Sequence, residues 1–143
     1  RIFVNPSPVN GVFSQIDFSK VSALVVNEVE GAVLAGLAVG APYEDVIEAL
    51  SSRWPTCEVV MTVGGDGAYY SFQEQTLKVP AVKTCVVDTT AAGDTFMGYF
   101  LASRLNGMNA EDSLKRASLA SSVTVSRPGA MDSIPFGDEV GNL

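Results

Sequence analysis

"VVDTTAAGDTFMGYF", Val86 to Phe100, carries a short apolar stretch into Asp88, two threonines, a turn of small residues and a second aspartate. A helical period follows at once. Phe96, Met97, Phe100, Leu101 and Leu105 fall on one face at helical spacing, and Gly107 marks the end of the run. The spacing predicts a strand over "KTCVVD" and a helix from about Ala91. A strand delivered directly to a helix start is the unit of an α/β domain with a largely parallel sheet.

The rest of the chain repeats that alternation. "RIFVNPSP" reads as a strand stopped by two prolines, and "SALVVNE" as a second strand ending at Asn27. Residues 28 to 39 are expected to be helical, against the weakening effect of Gly31 and Gly36. In "APYEDVIEALSSR", Pro42 suits a first turn, Glu44 and Asp45 favour its positive end, and Val46, Ile47 and Leu50 form the buried stripe. "CEVVMTV" is a strand, and "GGDG" turns it into a hairpin-like pair, "AYYSF" and "TLKV". A last long helix follows "NAED", capped by Asn109 with Asp112 reaching back, and buries Leu114, Ala117 and Ala120; "SRPGAMDSIP" closes as a loop.

Composition excludes several classes of function. The chain has 143 residues, 47% of them hydrophobic, and a net charge of −7, which suits one soluble globular domain with a real core. Its most apolar region, Gly31 to Ala41, is far short of the roughly 20 residues of a membrane-spanning helix. The opening residues show no basic stretch leading into an apolar run, so no secretory leader is expected. An acidic chain whose nine basic residues are scattered argues against a nucleic-acid surface. With no histidine, zinc lacks its usual ligand and no mechanism can use an imidazole base. Cys57 and Cys85 lie in strand-like runs and are expected to be buried free thiols in a reducing compartment. The chain lacks an initiating Met and opens in "IFV", which suggests a piece of something longer.

Four groups of residues can carry chemistry, each with a plainer reading beside it. Asp94 is a first-turn acid that the helix dipole would stabilise by about 0.5 kcal/mol. The "AAG" before it, Ala91, Ala92 and Gly93, has almost no side chains, so a ligand can come close enough for several N–H groups to converge on one anion. A base beside an anion trap suits attack by a hydroxyl on a terminal phosphate. Asn27 and Glu30, three apart at a helix start, are either a capping pair or a site for hydrated Mg²⁺ held through its waters. In "MTVGGDGAYY", Thr62, Gly64, Gly65 and Gly67 permit close approach of a nucleotide phosphate or ribose, and a tight hairpin explains Asp66-Gly67 equally well. Asp88 with Thr90, together with loop oxygens from Thr124 to Ser133, could form an oxygen cage for a monovalent cation.

The order "NPSP", "NEVE", "TVGGDG", "DTTAAGDTF", "SRPGAMDSIP" resembles the C-terminal half of the ribokinase family, the phosphofructokinase B-type carbohydrate kinases. That resemblance covers nearly the whole chain. It implies a three-layer α/β/α fold with a mainly parallel central sheet, of which residues 1–143 are the nucleotide-binding and catalytic part, one domain without the family's sugar-binding and lid part. It implies an ATP-dependent, cytoplasmic kinase acting on a sugar hydroxyl. Carried over by position, Asp94 is the base, and the N–H groups of Ala91, Ala92, Gly93 and Asp94 form the anion hole. Asn27 and Glu30 match the Mg²⁺ and phosphate motif. Thr62, Gly64 and Gly67 match the nucleotide turn, and Ser118 falls near the adenine, where the family often has a larger polar residue. Asp88, Thr90, Thr124, Arg127, Gly129 and Ser133 correspond to the site of a monovalent cation such as K⁺. Pairing in the family tends to use the lid, so a homodimer is a matter for the full-length protein.

Two other readings remain. A catalytically silent module would bind nucleotide, or dock with a partner supplying the missing half, and phosphorylate nothing by itself. Alternatively, "GGDG" also occurs in lipid and NAD kinases, but that reading leaves "DTTAAGDTF" unexplained.

Overall fold

The computed structural model describes residues 1–9, 13 and 15–141. The chain packs as two compact units, Arg1–Gly64 with Ala68–Lys78, and Gly65–Gly67 with Val79–Leu143.

The first unit is built on a five-stranded sheet in the order β1 (Phe3–Val4), β2 (Ala23–Asn27), β3 (Glu58–Thr62), β4 (Ala68–Phe72) and β5 (Gln75–Val79). β1 and β3 flank β2 in parallel, whereas β4 runs antiparallel to β3. β2 reads "ALVV" without alternation because both of its faces are buried: Leu24 and Val26 on one side, Ala23 and Val25 on the other. Leu24, Val26, Val59, Met61 and Tyr69 form one core with α1 (Glu28–Ala35) and α2 (Tyr43–Arg53), which contribute Ala32, Leu34, Val46, Ile47 and Leu50. Each such aliphatic side chain contributes about 1.5–3 kcal/mol when fully buried.

The two glycines that weaken α1 as a sequence both have structural roles. A Cβ on Gly31 would lie 3.0 Å from Met61 Sδ and 3.2 Å from Val46 Cγ1, so its absence lets the helix approach the sheet. Gly36, at φ 73°, closes the helix in a Schellman motif, with Leu37 N donating to Ala32 O (2.9 Å) and Gly36 N to Val33 O (3.1 Å). The helix expected over residues 28 to 39 therefore stops at Ala35. α2 follows the sequence closely, with Pro42 just outside the first turn and Val46, Ile47 and Leu50 buried.

The second unit is dominated by a helical hairpin, α3 (Ala92–Leu105) and α4 (Ala110–Val125), followed by a 3₁₀ turn (Met131–Ser133) and a one-turn helix, α5 (Gly137–Val140). Asn109 caps α4 by accepting from Asp112 N (2.9 Å), and its amide donates to the Asp112 carboxylate (2.7 Å). Leu114, Ala117 and Ala120 are buried as expected. The buried face of α3 is Thr95, Phe96, Phe100 and Ser103, so the expected stripe is shifted: Phe96 and Phe100 belong to it, and Leu105 is exposed.

One predicted element is absent. "KTCVVD" is extended but unpaired, and Cys85, Val86 and Val87 are exposed. Val87 N and Asp88 N both donate to Val125 O, at 2.7 and 3.2 Å, so the segment is held by a helix-terminal carbonyl and has no strand ladder. The expectation of two buried thiols is corrected accordingly: Cys57 is buried and Cys85 is not. Burial pushes the Cys57 thiol up to about 12.

Candidate active site

In the second unit, the junction quoted at the outset is a tight turn anchored by Asp88. Its Oδ1 accepts from Thr90 N (2.9 Å) and Thr90 Oγ1 (2.7 Å), and its Oδ2 from Gly129 N (3.1 Å). Those donors, Thr90 first, hold the carboxyl below the ordinary aspartate range. Asp88, Thr90 and Gly129 are thus brought together. Thr124 O accepts from Arg127 N (3.1 Å), and Ser133 Oγ donates to Ala130 O (2.6 Å). The Arg127 guanidinium pairs with Glu139, which leaves that residue's backbone carbonyl as the oxygen it could offer a cation.

The turn then reaches Ala91, whose φ of 62° is left-handed. Such a conformation costs a residue with a Cβ roughly 1–2 kcal/mol, and here it swings the chain into α3. Ala92 N donates to Thr89 O (3.2 Å), while Thr95 N closes the first turn on Ala91 O (2.9 Å). Gly93 N and Asp94 N stand in that first turn without an intrahelical acceptor. A Cβ on Gly93 would meet nothing within 4 Å, so the space in front of the turn is open. Asp94 is exposed beside it. The arrangement joins first-turn N–H groups that have no intrahelical acceptor, the positive end of a 14-residue helix and an exposed carboxylate.

In the first unit, Asn27 and Thr62 end adjacent parallel strands as register partners. Asn27 Oδ1 accepts from Glu30 N (2.8 Å), and Glu30 Oε2 accepts from Asn27 N (3.1 Å). The capping-box reading is therefore realised, and it uses one carboxylate oxygen. Glu30 is nearly buried and keeps Oε1 uncommitted among the described residues. Hard oxygen donors of this kind suit the water shell of Mg²⁺. Thr62 Oγ1 donates to Val26 O (3.4 Å). Gly64, at φ 54°, opens a 3₁₀ turn with free space about it. Gly67, which belongs to the second unit and has a φ of 105°, is fixed by crowding: a Cβ there would fall 2.0 Å from Val79 O. Ser118 lies on the buried face of α4 in the second unit. Among the described residues, no group of three or more Cys, Asp or Glu is placed to hold a metal by itself, and no helix is long and apolar enough to cross a membrane.

Sequence reading missed three hydroxyls. Ser121 Oγ donates to Ala92 O (3.1 Å), and Thr124 Oγ1 to Thr95 Oγ1 (3.0 Å), the two threonines being buried. The available signal was a hydroxyl on a buried stripe, Thr124 on α4 and Thr95 on α3, where it must find a partner; half-buried Ser121 gave none.

The fold agrees with comparison to known proteins. The pfkB family carbohydrate kinase model matches residues 1–136, and the chain belongs to that family. The ribokinase of Schizosaccharomyces pombe is 37% identical over 139 residues, an alignment spanning 94% of this chain and 43% of the relative. The ribokinase of Cryptococcus neoformans, solved in complex with ADP, superposes with a TM-score of 0.85 at 26% identity, covering 96% of this chain and 50% of that one. Arabidopsis thaliana ribokinase, solved with ribose and ATP, gives a TM-score of 0.79 at 28% identity over 86% of this chain and 40% of its own. The chain thus spans about half the length, or less, of the relatives it matches.

Proposed function

We propose that this chain is the nucleotide-binding and catalytic part of an ATP-dependent sugar kinase of the ribokinase type. The observation that carries the reading is Asp94 on the open first turn of α3, directly after the left-handed Ala91 and the side-chain-free Gly93, within a family match over residues 1–136. Asp94 accepts the proton of a sugar hydroxyl, and the oxygen so released attacks the terminal phosphorus of ATP, whose bond to the β–γ bridging oxygen breaks so that ADP leaves and the sugar phosphate forms. The N–H groups of Gly93 and Asp94, with that of Ala91 beside them, receive the charge that develops on the transferring phosphoryl group, whereas the expected Ala92 N–H is taken by Thr89 O at 3.2 Å. Asn27, Glu30, Thr62, Gly64 and Gly67 serve the nucleotide, and Ser118 serves its adenine.

Mg²⁺, held through water at Asn27 and Glu30, would neutralise phosphate charge. A monovalent cation such as K⁺ would sit among oxygens of Asp88, Thr90, Thr124, Arg127, Gly129 and Ser133, next to the anion hole. The reactants are a sugar and ATP, in the cytoplasm, with no nucleic acid or membrane involved. Isothermal titration with ATP and Mg²⁺ beside a coupled kinase assay tests this proposal. Sugar-dependent turnover supports it, whereas nucleotide binding without turnover by any sugar supports a silent module that needs its missing half.

A further inference from the structure

α4 touches the phosphate-facing turn at four points along its last turns and the loop beyond. Ser121 Oγ holds Ala92 O at 3.1 Å, and Thr124 Oγ1 holds Thr95 Oγ1 at 3.0 Å. Val125 O accepts from Val87 N and Asp88 N, and Gly129 N donates to Asp88 Oδ2. The first two ties share a spacing of three residues on both helices, 92 and 95 against 121 and 124, so two successive hydroxyls of one helix face the first turn of the other. The two tied residues, Ala92 and Thr95, bracket Gly93 and Asp94 in sequence, and a Cβ on Gly93 would meet nothing within 4 Å. A buried hydroxyl pair has no water to fall back on, so its geometry is strongly specified. The turn it holds includes a left-handed alanine, a conformation that persists only where its surroundings enforce it.

We infer that Ser121 and Thr124, acting through their side-chain hydroxyls with Thr95, are positioning residues that fix the direction of the Gly93 and Asp94 N–H groups and of the Asp94 carboxylate. This inference rests on the kinase reading above. An anion hole works by being oriented before charge appears, and a loosened first turn would bind the nucleotide yet stabilise the transition state less. The Thr124 role belongs to its hydroxyl and is separate from any oxygen its carbonyl offers a cation.

The test compares the parent protein with Ser121→Ala, Thr124→Val and the hydroxyl-retaining Thr124→Ser. Two quantities are read well below each variant's Tm: kcat and KM for ATP, and amide hydrogen exchange resolved at Thr95, whose N–H closes the turn. The expected result is a kcat lowered at least tenfold in Ser121→Ala and Thr124→Val with KM for ATP within twofold. Thr124→Ser should recover to within threefold, and Thr95 exchange should rise about tenfold while the middle of α3 is unchanged. Unchanged kcat, or a loss of protection spread evenly over α3 and α4, overturns the inference. If the parent turns over no sugar, the kinase reading fails by itself. The exchange result then still decides: faster exchange confined to the turn supports the positioning device, and unaltered Thr95 exchange rejects it.

Discussion

Ala91 occupies the left-handed region at φ 62°, where a Cβ is a cost and glycine would not be. Ala91→Gly is therefore expected to raise stability by up to about 1 kcal/mol, the relief of strain less the greater freedom glycine has when unfolded. Urea denaturation would measure it, and a lowered midpoint would contradict the strain argument. Asp88 supplies a pH dependence. Its folded pKa lies below the unfolded value of about 3.9, so its contribution is full above that value and disappears as pH falls through the folded pKa. Asp88→Asn should remove this part of the acid limb, visible as a flatter dependence of Tm on pH below about pH 4; an unaltered acid limb would mean the Thr90 and Gly129 bonds do not favour the charged form. The cysteines separate in the same way. Cys85 should react with a thiol reagent in the native protein and Cys57 only after denaturation, giving one equivalent and then two. Two equivalents from native protein would contradict the burial of Cys57.

At the scale of elements, the helix that starts at the end of β2 depends on its cap. Asn27→Ala removes the acceptor for Glu30 N and should cost about 1 kcal/mol, again by denaturant midpoint; no change would show that Glu30 finds another partner. Local pattern made most of these elements legible. β2, β3 and α2 are long apolar or amphipathic runs with clear punctuation, and Asn109 and Gly107 announce the α3–α4 connection. Two misjudgements have physical causes. Apolar residues after Ala35 extend the helical pattern, but Gly36 takes the left-handed conformation and the Schellman bonds end the helix. "KTCVVD" has every local mark of a strand, yet strandedness depends on a neighbour's hydrogen bonds, and here the N–H groups of Val87 and Asp88 go to a helix-terminal carbonyl, Val125 O, instead of to a strand.

For the molecule as a whole, the order of its motifs was far more informative than any one of them. Asp94 alone reads as an ordinary helix-start acid, and Asn27 with Glu30 is indeed a capping box. An anion was expected from the sequence at the turn after Ala91, but how that turn is held was not legible, because the Ser121–Ala92 and Thr95–Thr124 contacts join residues 29 positions apart. The relatives' remaining length lies outside the alignment. The most direct test of the central claim is sugar-dependent ADP formation by the full-length protein beside its Asp94→Asn variant, with ATP, Mg²⁺ and K⁺ and a panel of sugars. Turnover is expected to fall by about 10²–10⁴-fold in the variant, the usual contribution of a positioned base, with ATP affinity little changed. Turnover retained by Asp94→Asn would remove Asp94 from the role of base and with it the mechanism proposed for this turn.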